Sequence, residues 1–125
     1  MHLLLAEDER INQLYMTDLL EREGHTVSVA ADGASVLEQV EETAFDLILM
    51  DIQMPIMDGL EATGRIRDSD GLATPSTVPI FAMTAHSTSE DRSRFLAAGV
   101  TEIVAKPIVE SALLALLTSI SERDE

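Results

Sequence analysis

The sequence predicts an α/β fold, a doubly wound five-stranded parallel sheet with helices on both faces, and three observations lead to it. Short apolar runs of about four to six residues alternate with stretches of helical period from one terminus to the other. The linkers between them are mostly short, which favours right-handed crossovers between parallel strands. The third run, Asp46 to Met50, has almost no polar interruption, the mark of a strand buried on both faces.

Each element has its own signal. His2 to Ala6 reads as a short buried strand. Ile11, Leu14, Tyr15 and Leu19 fall at i, i+3, i+4 and i+8, one stripe of an amphipathic helix that Asp18 interrupts and Gly24 ends. His25 to Ala30 is the second strand. Asp32 and Gly33 turn the chain, and Val36, Leu37 and Val40 mark the second helix. After the third strand and the loop Gln53 to Met57, Asp58 can cap a helix carrying Leu60, Thr63 and Ile66. Ser69 to Pro79 is the one long loop. Ile80 to Met83 forms the fourth strand, and Ser87 to Ala98 the fourth helix, with Phe95 and Leu96 inward and Gly99 ending it. Val100 to Ala105 is the fifth strand. The last helix, Val109 to Ser121, carries Leu113, Leu114, Leu116, Leu117 and Ile120. That is more apolar surface than one core-facing stripe requires, so part of it is expected to meet a partner.

Composition bounds the function. The chain has 125 residues, 23 acidic against 8 basic, for a net charge of -15. One domain spanning residues 1–125 is expected. A fold of this length buries roughly two-thirds of its unfolded surface, and 46% hydrophobic content supplies a core, so disorder is not expected despite the charge. No Lys/Arg cluster exists to displace counterions from DNA or RNA, which excludes direct nucleic-acid binding. The absence of cysteine removes disulfides, thiolate zinc sites and cysteine nucleophiles together. The longest apolar runs, such as Ala112 to Leu117, fall far short of the ~20 residues of a membrane span. No leader is read, because Met1 to Ala6 runs straight into Glu7, Asp8 and Glu9. The expected location is cytoplasmic, with no membrane contact.

In open sheets of this type, ligands sit beyond the carboxyl ends of the strands. Those ends carry Glu7, Asp8 and Glu9 after the first strand, Asp51 after the third, Thr84 after the fourth and Lys106 after the fifth. If the first and third strands are neighbours, Glu7, Asp8 and Asp51 form a dense negative cluster that demands a cation or a raised pKa. An all-oxygen, carboxylate-rich site suits Mg2+, and the backbone carbonyl of Gln53 is a candidate further ligand. Asp51 ends the central strand and is the best nucleophile. Lys106 can neutralise a transferring group, Thr84 can donate a hydrogen bond to it, and the small Ala85 leaves room for its oxygens. Taken singly these residues are ordinary: a solvated acidic loop, a turn aspartate, a strand-ending threonine and a surface lysine. Their coincidence at one sheet edge is what points to a site. His2, His25 and His86 lack metal-ligand spacing, and Met50, Met54 and Met57 read as packing.

These residues carry a family resemblance. The chain resembles a response-regulator receiver domain of two-component signalling over essentially its whole length. The acidic pair in L-L-A-E-D, the acceptor in L-I-L-M-D-I-Q-M-P-I-M-D-G, the M-T-A of Thr84, the A-A-G ending helix four and the A-K-P of Lys106 and Pro107 agree. The resemblance implies a flavodoxin-like (βα)5 fold with strand order 2-1-3-4-5. It implies that Glu7 and Asp8 hold Mg2+ and that Asp51 accepts a phosphoryl group from a histidine kinase or histidine phosphotransfer protein. Lys106 and Thr84 would contact that group, and the bond before Pro107 would be cis. The output would be a change in the surface of helix four, strand five and helix five that controls a partner protein, not a reaction on a substrate. Gln53 and His86 match family positions that tune hydrolysis of the acyl phosphate. The family usually has an aromatic switch residue three positions before the lysine, and here that residue is Ile103. The opening E-D-E-R-I-N resembles receivers of hybrid kinases, so the chain is expected to act alone on a partner or to belong to a larger protein.

Three rival functions share parts of this pattern. A phosphatase with an aspartate nucleophile needs a second Asp two residues later as general acid, and that position is Gln53. A flavin-binding electron carrier needs a phosphate-cradling loop after the first strand, whereas this loop is acidic. The presence of all five acceptor-site residues argues against an interaction module working without phosphorylation, and Ile103 keeps it open as the alternative. Homodimerisation through helices four and five is a further expectation, motivated by the surplus leucines.

Overall fold

A computed structural model describes residues 1–85 and 88–123. Among them, strand and helix alternate through β1 (His2–Ala6), α1 (Arg10–Arg22), β2 (Thr26–Ala30), α2 (Gly33–Glu42), β3 (Leu47–Asp51) and α3 (Gly59–Arg67). The series continues with β4 (Ile80–Thr84), α4 (Ser89–Ala97), β5 (Glu102–Ala105) and α5 (Glu110–Arg123). The strands form one parallel sheet in the order β2-β1-β3-β4-β5. This is the doubly wound, flavodoxin-like architecture expected from the sequence.

Alternation along the strands sorts the core into two layers, because successive side chains leave opposite faces. Leu3, Leu5, Leu47, Leu49, Phe81 and Met83 pack beneath α1 and α5 against Met16, Leu19, Leu20, Leu113, Leu117 and Ile120. Leu4, Ala6, Ile48, Met50 and Ile80 face α2 and α3, where Val36, Val40, Ala62 and Ile66 meet them. Every residue of β3 is buried, as its unbroken apolar run predicts. A smaller cluster joins Ile52, Ala82, Phe95 and Val100, with Leu60 and Ile103 packed against it beneath α4.

Local chemistry sets the element boundaries. Asp32, Asp58 and Thr88 cap α2, α3 and α4 by accepting from the amides of Ser35, Glu61 and Asp91. β3 begins one residue after Asp46, whose Oδ2 accepts the His2 amide. β5 begins at Glu102 instead of Val100, since the Val100 amide still bonds back to Phe95 in the turn closing α4. Two devices tether the long loop after α3. Thr74 Oγ1 accepts the Phe45 amide, and the Arg67 guanidinium donates to the carbonyls of Gly99, Ser76 and Val78 at 2.9, 2.7 and 2.7 Å.

Two expectations about inward faces fail. Ile11, Leu14 and Tyr15 are 72, 56 and 46% exposed, and α1 instead buries Met16, Leu19 and Leu20. The helix is rotated because Asn12 and Gln13 turn toward polar atoms of Glu7. Leu96 is 51% exposed, so Phe95 is the buried residue of α4 among those described. The surplus leucines of α5 are partly absorbed by the fold, since Leu114 and Leu116 pack against the first cluster.

Candidate functional site

Parallel register gathers the chemistry at one edge. Ala6 pairs with Met50, so the next residues, Glu7 and Asp51, leave their strands side by side. Asp51 pairs with Met83, and Thr84 pairs with Ala105, which brings Thr84 and Lys106 to the same rim. Glu7, Asp51 and Thr84 are nearly inaccessible, at 2, 4 and 4%, while Asp8 is exposed. One carboxylate oxygen from each of Glu7, Asp8 and Asp51 lies within 4.8 Å of the others. Glu9 is exposed and occupies the N-cap position of α1.

Lys106 supplies the opposing charge. Its Nζ stands 2.9 Å from Asp51 Oδ2 and 3.7 Å from Glu7 Oε2. Its amide donates to the Thr84 carbonyl at 2.9 Å, and the Lys106–Pro107 bond is cis. The second Asp51 oxygen, Oδ1, accepts the Gln53 amide at 3.1 Å. The turn that carries Gln53 continues into Ile56, whose φ of 69° places a β-branched residue in the left-handed region.

Burial acts on these charges. Desolvation first, then the neighbouring Asp51 charge, raises the Glu7 pKa above 4.5. Burial also opposes the Lys106 ammonium, but the hydrogen bond to Asp51 and the charges of Asp51, Glu7 and Asp8 outweigh it and raise its pKa. Three carboxylates facing one ammonium leave an excess of negative charge. An oxygen-only donor set of this kind fits a hard divalent cation such as Mg2+. Beside the cluster, a cleft of about 600 Å³ takes Glu7 and Lys106 into its lining with the apolar Tyr15, Met16 and Pro107.

The structure thus brings together Glu7, Asp8, Asp51, Thr84 and Lys106. Ile103 stands apart from them, on β5 opposite Ala82, packed into the cluster beneath α4. His86 lies outside the described residues. Sequence reasoning missed two groups here. Asn12 Nδ2 donates to Glu7 Oε1 at 3.4 Å, and Gln13 Nε2 to the Glu7 carbonyl at 2.6 Å. The signal was present: stepping back from the buried Met16 and Leu19 by helical spacing lands on Asn12, a polar residue on an inward face. Gly59 closes the acceptor motif L-I-L-M-D-I-Q-M-P-I-M-D-G, but its close approach to Asp51 leaves no trace in composition or period and was not foreseen.

Residues 3–118 match the family model of the response regulator receiver domain. The chain belongs to this family. It is a receiver domain of two-component signalling, a family of regulatory phosphoacceptor domains. It is 42% identical over 110 residues to a hybrid signal transduction histidine kinase of Dictyostelium discoideum, covering 84% of this chain and 6% of that protein. It is 40% identical to the autoinducer 2 sensor kinase/phosphatase LuxQ of Vibrio vulnificus, covering 88% of this chain and 12% of that one. The receiver therefore spans only a small part of these relatives. Among solved structures, the receiver domain of the sensor histidine kinase PA1611 from Pseudomonas aeruginosa, with magnesium coordinated in its active site cleft, superposes with a TM-score of 0.86. That likeness has 35% sequence identity and covers 96% of this chain and 97% of the other. No described helix is long and apolar enough to cross a membrane.

Proposed function

We propose that residues 1–125 act as one receiver unit that takes a phosphoryl group on Asp51, in a Mg2+-dependent reaction, from a phosphohistidine of a histidine kinase or phosphotransfer protein. The observation that carries this reading is the Asp51 carboxylate itself. It is 4% exposed, fixed by Lys106 Nζ at 2.9 Å, and grouped with Glu7 and Asp8. A helix cap or a solvated turn needs no such arrangement.

In the reaction, an Asp51 oxygen bonds to phosphorus as the bond from phosphorus to the donor imidazole nitrogen breaks. The electron pair of that bond stays on the imidazole, which takes a proton from solvent, and Asp51 becomes an acyl phosphate. The Lys106 ammonium stabilises charge on the transferring group, and the Thr84 hydroxyl donates to it. Glu7, Asp8, Asp51 and the Gln53 carbonyl would hold Mg2+, whose positive charge would offset the negative charge that builds up in the transfer. Thr84 and Ile103 then bias the α4, β5 and α5 surface that a partner reads, while Gln53 and His86 set the lifetime of the modified state. The exposed Leu96 and the 59% exposed Val109 favour a second copy of the chain as one partner on that surface.

The test is intact mass after incubation with acetyl phosphate and Mg2+, beside Asp51→Asn and a metal-free control. The expected result is a single hydroxylamine-labile phosphoryl adduct that needs Mg2+ and vanishes in the variant. If neither that adduct nor a beryllofluoride-induced spectral change is found, the interaction module working without phosphorylation replaces this reading. Ile103, in place of the usual aromatic switch residue, is what keeps that second reading open.

A further inference from the structure

We infer that Asn12, supported by Gln13, is a positioning residue for cation binding, holding the Glu7 carboxylate through the first turns of α1. The inference rests on the proposed role of Glu7 as a metal ligand. In burying Met16, Leu19 and Leu20, α1 also turns the Asn12 and Gln13 amides toward Glu7 and leaves Ile11, Leu14 and Tyr15 exposed.

The start of α1 differs from those of α2, α3 and α4. A helix leaves its first amides unsatisfied, and α2, α3 and α4 each satisfy one with the side chain of the N-cap residue. Glu9, at the N-cap of α1, makes no such bond, and the first turn has no acidic residue. The Glu9 amide instead donates to Glu7 Oε1 at 3.1 Å, on the same oxygen that accepts Asn12 Nδ2 at 3.4 Å. Gln13 Nε2 fixes the backbone beneath it, donating to the Glu7 carbonyl at 2.6 Å. The two oxygens of Glu7 are thereby divided. Oε1 is committed to α1, and Oε2 is left on the side of Lys106 and Asp51, where it stands 3.7 Å from Nζ.

The type of donor matters. A carboxylate that is 2% exposed and already repelled by Asp51 must be held in one rotamer to serve a cation without delay or rearrangement. A second lysine or arginine in the place of Asn12 would hold it too, but would repel the cation. A neutral amide orients the carboxylate and leaves its charge available. The arrangement also links the ion to the outer face of α1: the helix that supplies Asn12 presents Tyr15 one turn further on, in the lining of the cleft.

The test compares wild type with Asn12→Leu, which keeps the volume and removes the donor, and Asn12→Gln, which restores one. Circular dichroism confirms folding of each, and Gln13→Met serves as the second probe of the same clamp if Asn12→Leu does not fold. Mg2+ affinity is measured directly by titration calorimetry and by the emission of Tyr15, the chain's single tyrosine. Loss of a group that orients a metal ligand costs about 10–100-fold in affinity. Asn12→Leu is expected to weaken Mg2+ binding by about tenfold at the lower end of that range, with Asn12→Gln recovering most of the loss. The Mg2+ concentration for half-maximal phosphorylation by acetyl phosphate should rise in parallel, a change that lowered stability alone does not produce. An Asn12→Leu affinity within twofold of wild type overturns the inference, as does a loss that Asn12→Gln does not recover. Failure of wild type itself to bind Mg2+ overturns instead the reading of Glu7 as a ligand, and the inference with it.

Discussion

The first residue of α3 lies so close to the carbonyl oxygen of Asp51 that a methyl group on the Gly59 Cα would overlap it. The same added carbon would meet the Met50 side chain at 2.8 Å, and the Gly59 amide donates to the Ile52 carbonyl at 3.1 Å. β3 and the helix after it are therefore in close contact at the backbone of Asp51 and Gly59.

Gly59→Ala should accordingly disturb the site as well as the fold. Inserting a methyl group into a filled space costs roughly 1–3 kcal/mol. Because the displaced atom is the Asp51 backbone, the acetyl phosphate reaction should slow by more than the loss of folded protein explains. Chemical denaturation and initial phosphorylation rates on the same preparation separate the two.

Removing the ammonium leaves buried carboxylates facing each other. Lys106→Met breaks the 2.9 Å contact with Asp51, and Lys106 is 26% exposed, so solvent screens part of the effect. A loss of about 2 kcal/mol in the absence of metal is expected, below the range for a fully buried pair. Millimolar Mg2+ should then raise the melting temperature of the variant more than that of wild type, since the ion supplies the missing positive charge. Scanning calorimetry with and without Mg2+ checks both effects.

The Glu7 pKa makes stability depend on pH with a definite sign. Burial and the Asp51 charge raise it in the folded state, so between 4.5 and the raised value the folded chain holds a proton that the unfolded chain has lost. Stability from this group is complete below 4.5 and is lost as pH rises through the folded pKa. Metal-free Glu7→Gln, uncharged at every pH, should be more stable than wild type at pH 7 and should converge with it below 4.5. Urea unfolding of both proteins across that pH window isolates the contribution by difference.

Ile56 sits at φ 69° with its side chain 83% exposed. A β-branched residue in the left-handed region costs about 1–2 kcal/mol over glycine, and no burial of its side chain offsets this. Ile56→Gly should stabilise the protein by up to ~1 kcal/mol after the added freedom of the unfolded chain is deducted. A lower urea midpoint for Ile56→Gly would show that the side chain is held by contacts that outweigh its backbone strain.

The sheet and its rim were legible in the sequence because both are matters of order along the chain. Unbroken apolar runs such as Leu47 to Met50 have one reading, and whatever follows them emerges at the same edge. Helix orientation was less legible. Ile11, Leu14 and Tyr15 make a sound apolar stripe, yet α1 buries the neighbouring stripe because Glu7 draws Asn12 and Gln13 inward, and a partnered polar group overrides a few exposed hydrophobes. Leu96 and Phe95 are adjacent and both apolar, and only the presence of Ile52, Ala82 and Val100 beneath α4 decides between them. Such choices depend on what lies opposite, which period and composition do not contain.

Arg67 gives α4 a mechanical asymmetry. Its guanidinium ties the Gly99 carbonyl, just beyond the carboxyl end of the helix, to the Ser76 and Val78 carbonyls, and the buried Phe95 sits near that same end. At the other end, Thr88 is bonded to Asp91 within the helix's own first turn, and Ser89 and Glu90 are exposed. The carboxyl end of the helix is therefore cross-tied to the loop after α3, while the bonds described for its first turn are its own. Under the proposed phosphorylation of Asp51, a displacement of Thr84 would then tilt α4 about Gly99, moving Ser89 further than the junction with β5.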